Sequence, residues 1–241
     1  MALYSEQVMT HDADALIRVQ GADAASFLNA QLTRRVDTLA EGETALAAWC
    51  NARGRVQALF RIARAADSYT LRVPVGMLPL ALPRLRIFVL RSQVQIEAIQ
   101  DVALPDTGAA LKNVLAGIPR IYPETRDQFL PQMLNLDRLD AIDFKKGCYP
   151  GQEIVARTQY LGQLKRRMYR FSTDDTQQQP VAGTALVATN DVSGTVIDAA
   201  RDAAGNWQIL AVVPIESAQL PWRLTDSGKP LKRLPLPYAL D

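Results

Sequence analysis

Cysteine and histidine are almost missing from this 241-residue chain, which has two of the first and one of the second. So few soft ligands exclude a disulfide framework, a four-ligand zinc site and an iron–sulfur cluster held by one copy of the chain. No run of about eighteen apolar residues occurs, which excludes a conventional membrane-spanning helix. The start, with His11, Asp12 and Asp14, lacks the apolar stretch of a secretory leader, so a cytoplasmic protein with no membrane partner is expected. There is no glycine-rich phosphate loop, no dinucleotide fingerprint and no internal repeat. The net charge of +2 is too near balance for a dedicated nucleic-acid binder. What the chain has in quantity is apolar residues, 48% of the total, enough to bury one large core or two to three small ones.

Against that background one stretch carries unusual chemistry. Residues 146–153 read KGCYPGQE, placing the Cys148 thiol beside Lys145 and Lys146 and inside a turn framed by Gly147, Pro150 and Gly151. Neighbouring ammonium groups favour the thiolate, the form that attacks electrophiles and binds metal. Cys50, by contrast, ends the apolar run Ala47, Ala48, Trp49 and reads as a small core residue. Charge reinforces the contrast. Residues 145–170 hold seven basic side chains against the single acid Glu153, a window of +6 in a chain of +2. Such a field attracts anions.

The patterning is mixed. Residues 16–20 read as a strand and Asp23 as the N-cap of a helix carrying Phe27, Leu28 and Leu32 on one face. Residues 56–62 and 69–73 alternate as a hairpin, 85–90 read as a helix and 94–98 as a strand, together a compact α+β unit. A helix over 109–115 ends at Gly117 and Pro119, and 121–144 reads as mostly loop. From Arg166 onward, short β-like runs separated by turn residues predict an antiparallel barrel or sandwich, with the proline-bearing tail from Lys229 laid over it as an extended strap. Trp49, Trp207 and Trp222 read as core aromatics.

The stretch FKKGCYPGQEIVARTQYLGQLK over residues 144–165 resembles the signature of the YgfZ-type folate-binding proteins, relatives of the glycine-cleavage T-protein, an aminomethyltransferase. Similarity extends through Gly21–Asp23, Phe27 and Leu28, Gln31–Thr33, Gly54 and Arg55, residues 116–119 and residues 130–132, and so over most of the chain. The resemblance implies an α+β, three-part ring. Its parts are a discontinuous first domain over 1–48 and 118–162 carrying the Cys148 loop, an inserted α+β domain over 49–117, and a C-terminal antiparallel β-barrel over 163–241. It implies tetrahydrofolate or a related folate as the small-molecule ligand, and iron–sulfur assembly or client proteins as partners of a monomer. In one respect the chain departs from that pattern: tryptophans that stand beside the folate in family members are replaced by Asp14 and Ala109.

In this frame Cys148 is a nucleophile, a transient ligand to a cluster in transit, or a protective thiol. With His11 the only histidine, a Cys–His pair is disfavoured. Lys146 either depresses the thiol pKa or meets a folate carboxylate. Tyr149 offers a ring to stack on. Gln152 and Glu153 offer amide and carboxylate groups to a pterin, while Glu153 and Arg157, four residues apart, pair equally well with each other. The expected function is a folate-binding accessory factor for assembly or repair of iron–sulfur enzymes, including those that thiolate tRNA. A folate-dependent one-carbon transferase and a direct tRNA-binding module are the alternatives, the second with little support because no aromatic-basic RNA motif is present. No stably bound metal is expected.

Overall fold

The computed structural model describes residues 13–103, 108–175, 179–188, 192–225 and 228–240; the sole histidine, His11, lies outside them. Two five-stranded antiparallel sheets form its frame. The first runs β2 (Thr44–Cys50), β3 (Val56–Arg64), β4 (Ser68–Pro74), β1 (Asp14–Gln20), β5 (Gln95–Ala103). Helices α1 (Ala24–Gln31) and α2 (Leu78–Ile87) pack on it, and α3 (Ala109–Leu115) follows β5. A long segment with two short 3-10 turns leads through the Cys148 loop to α4 (Gln152–Tyr160). The second sheet takes the order β10 (Lys232–Leu234), β6 (Arg166–Thr173), β9 (Trp207–Pro214), β8 (Ser193–Arg201), β7 (Ala185–Val187).

Strand alternation sorts the side chains into three cores. Along β3, Ala58, Phe60 and Ile62 face α1 and α2, while Val56 and Leu59 face the second sheet. Along β9, Leu210 and Val212 face that same middle core, and Ile209, Ala211 and Val213 turn outward under Trp222 and Leu231. Phe60 and Trp222 are fully buried, each contributing about 1.5–3 kcal/mol or more of hydrophobic stabilisation.

Several expectations need correction. The first sheet draws β1 and β2 from residues 14–50 and β3 to β5 from 56–103. β2 itself has no alternation to betray it: TALAAWC is buried on both faces. The expected closed barrel is, among the described residues, an open ladder whose end strands β10 and β7 do not pair with each other. Helix α2 starts seven residues before the expected 85, because Pro79 sits in its first turn, where a missing N–H costs nothing. Asp23 makes no side-chain cap; its carboxylate accepts the Gln93 N–H at 2.7 Å and ties α1 to the loop before β5. The tail does run as a strap. After pairing with β6, it inserts Tyr238, whose hydroxyl donates to the Gly117 carbonyl at 2.7 Å and accepts from Asn135 at 3.2 Å.

Candidate functional site: the Cys148 loop

The loop is pinned before it reaches the thiol. Thr33, fully buried just after α1, donates to the Ala141 carbonyl at 2.7 Å and accepts from the Ala48 N–H at 2.8 Å. The Thr33 carbonyl accepts the Asp143 N–H at 2.8 Å. Asp143 in turn accepts the Lys145 N–H at 2.8 Å. On the far side Gly151, with φ of 78°, turns the chain into α4. Gln132, 2% exposed, donates to the Val155 carbonyl at 2.7 Å and fixes α4 from below.

Lys146 does not point at solvent as expected for a thiol activator. It is 8% exposed, its ammonium donating to the carbonyls of Asn29 at 2.5 Å and Leu32 at 2.8 Å and lying 4.7 Å from the centre of the Tyr149 ring. It therefore satisfies carbonyls that the end of α1 leaves open. Burial pulls its pKa down to about 8, against the opposing pull of Asp143, Asp37 and Cys148. The folded form thus loses its proton first, and stability should rise as pH increases from about 8 toward the ordinary lysine value of 10.5. In Lys146→Met, which keeps the stem and loses the charge, the part of that rise between about pH 8 and 9 should be absent from urea midpoints taken across the interval. Above pH 9 the buried Cys50, whose thiol is pushed up by desolvation, contributes the opposite slope.

Cys148 is exposed, while Cys50 is 1% exposed in β2. Iodoacetamide should therefore label Cys148 in the native protein and Cys50 only after denaturation, as peptide mass spectrometry would show. Beside Cys148 opens a hollow of about 400 Å³ lined by Lys145, Arg35, Asp37, Asn29 and Ser26. Arg35 and Asp37 form an exposed pair at 2.6 Å, and the guanidinium holds Asp37 down at about 2. Asn29 accepts the Val36 N–H at 2.8 Å. Sequence reasoning missed Asn29, Arg35 and Asp37 because they lie more than a hundred residues from Cys148; the matched residues Phe27, Leu28 and Gln31–Thr33 were the signal near them.

The remaining candidates do not gather at the thiol. Tyr149 is buried beneath Lys146, its hydroxyl pKa raised first by desolvation, and offers no free ring face there. Gln152 donates to the Lys146 carbonyl at 3.4 Å. Glu153 and Arg157 are exposed on α4 and form no ion pair with each other.

The hollow beside Cys148 offers tetrahydrofolate no ring to stack on. The hollow has the volume of a small-molecule site, but Asp37 and Asn29 are committed to local partners and no aromatic ring lines it. The hollow between the first sheet and α3, at about 40 Å³, is far too small for a pterin.

The two sheets and the segments between them define an aminomethyltransferase-like fold. Glycine cleavage system aminomethyltransferase T from Bartonella henselae matches it with a TM-score of 0.71 at 16% identity, over 96% of this chain and 85% of that one. No family model matches the chain. Among curated proteins, the tRNA-modifying protein YgfZ of Photobacterium profundum is 30% identical over 94% of this chain and 89% of its own length. The protein of the same name from Klebsiella pneumoniae is 27% identical over 97% and 93%. The chain belongs to the YgfZ family. Among the described residues, no helix is long and apolar enough to cross a membrane.

Proposed function

We propose that this protein is a cytoplasmic accessory factor for the assembly or repair of iron–sulfur enzymes, including those that thiolate tRNA, and that Cys148 is its working group. The observation that supports this reading is an exposed thiol on a rigidly anchored loop, beside a hollow edged by Lys145 and Arg35. A thiolate there donates one electron pair to an iron of a cluster in transit, the other ligands coming from the client; one chain with two cysteines cannot supply four. The reading also draws on the relatives named for tRNA modification. Folate is the small molecule that the family relation suggests, and no step of the thiol chemistry passes through it. Lys146 acts as a positioning residue, holding the loop to α1.

Cells lacking the protein test it. An accessory factor predicts loss both of thiolated nucleosides in tRNA and of iron–sulfur enzyme activities unrelated to RNA, each restored by the wild-type chain. Loss of the tRNA modification alone, with salt-sensitive tRNA binding by the purified protein, would favour the direct tRNA-binding module instead.

A further inference from the structure

Where α2 gives way to the turn before β5, three apolar side chains stand in solvent: Ile87 is 67% exposed, Phe88 40% and Leu90 87%. Leu90 also holds φ at 45°, a left-handed conformation that suits glycine or asparagine far better than leucine. The turn is built, not loose. The Val89 N–H donates to the Arg86 carbonyl at 3.2 Å, the Ser92 N–H donates to the Val89 carbonyl at 2.8 Å, and the Phe88 ring meets buried Trp49 edge-on at 6.4 Å. Leu90 therefore neither fills a core nor suits its backbone, so stability alone gives no reason for a leucine there. The charge around it is one-sided. Arg84, Arg86 and Arg91 are exposed on the same segment, and residues 68–96 contain no acid. The adjoining acids are Asp23, which accepts the Gln93 N–H, Glu97, which lies 3.4 Å from Arg18, and Asp67, which shares with Arg64 the hollow bordered by Ser92 and Gln93. Five arginines against three carboxylates leave the region positive.

We infer that this turn docks on an anionic lipid surface, with Ile87 and Leu90 entering the boundary between headgroups and acyl chains and Arg84 and Arg91 meeting the lipid phosphates. Arg86 holds the turn to the sheet, its Nε donating to the Ile96 carbonyl at 2.8 Å. Leucine, isoleucine and phenylalanine interleaved with arginine is the make-up of segments that lie in a membrane interface. Other partners fit less well. The residues that dominate protein–protein contacts are enriched in Trp, Tyr and Arg, with leucine under-represented. RNA bases stack on open aromatic faces, whereas the aromatic ring here leans on Trp49. A second copy of the chain would set arginines against arginines. The absence of a long apolar run excludes a spanning helix only, and contact with a lipid surface needs none. None of these residues lines the hollow at Cys148, and the inference does not rest on the function proposed for that thiol.

The test is co-sedimentation of the full chain, in low-salt buffer, with vesicles of mixed phosphatidylglycerol and phosphatidylcholine in one arm and of phosphatidylcholine alone in the other. The wild type should bind the anionic vesicles about tenfold or more tightly than the neutral ones, and lose that preference as salt is added. Leu90→Asn removes the most exposed aliphatic group and suits the left-handed turn, so it should weaken binding by about tenfold while melting no lower than the wild type. Arg84→Gln and Arg91→Gln combined should weaken binding to the anionic vesicles by about tenfold or more, a cation near such a surface being worth about fivefold. No binding of either vesicle, equal binding of both, a Leu90→Asn protein that sediments like the wild type, or one that melts well below it would each overturn the assignment. Salt-sensitive binding of tRNA in place of vesicles, lost in the double arginine variant, would overturn it in favour of a nucleic-acid contact.

Discussion

Gly151→Ala is expected to destabilise the protein by about 3 kcal/mol or more, read as a lowered urea midpoint with an unchanged slope. Gly151 holds φ at 78°, a conformation that a β-carbon disfavours. An added Cβ would also stand 2.4 Å from the Asn51 carbonyl oxygen and 2.5 Å from the Gly54 nitrogen. These are backbone atoms of the turn between β2 and β3, closed by the Gly54 N–H to Asn51 carbonyl bond and braced by the Asn51 side chain, so they cannot move aside cheaply. The other glycine of the motif supplies the control. Gly147 is exposed, has an ordinary φ, and a Cβ there meets nothing within 4 Å, so Gly147→Ala should change stability by less than about 0.5 kcal/mol. Two variants that melt alike would mean that the loop does not pack against the β2–β3 turn as described.

Cys148→Ser should remove the ability to restore iron–sulfur enzyme activity in cells lacking the protein while moving stability by less than about 1 kcal/mol. The sulfur is exposed, so replacing it by oxygen leaves no cavity and strands no buried polar group. A hydroxyl keeps the shape and loses both the nucleophile and the soft ligand. Cys50→Ser should behave in the opposite way. Its thiol is 1% exposed in the middle core, a hydroxyl there lacks a ready partner, and the variant should melt lower yet rescue whenever it folds. Rescue by Cys148→Ser at wild-type protein levels would remove the thiol from the proposed function.

The sequence by itself determined which residues carry period-two or helical patterning and which stretch is chemically unusual. β1 and β4 were legible because buried and less buried residues alternate along them, β3 because polar Gln57 and Arg61 punctuate its apolar residues, β9 as a short apolar run between turn residues, and α3 from its stop at Gly117 and Pro119. β2 was not, because its two buried faces erase alternation. α4 was not either, since Val155 is the one buried residue of its nine and a single apolar anchor makes no stripe. The KGCYPGQE motif marked the loop, but its reading as a lysine-activated thiol treated neighbours in sequence as neighbours in space. Only the tertiary structure decided that Lys146 turns inward to the carbonyls of Asn29 and Leu32, leaving Lys145 at the surface. It alone decided that Arg35 and Asp37 stand beside Cys148, and that Arg61 meets Arg72. Periodicity reports the local environment of each residue, whereas these pairings join positions 11 to more than 100 residues apart, set by sheet register and by the packing of loop on helix, which no local pattern encodes.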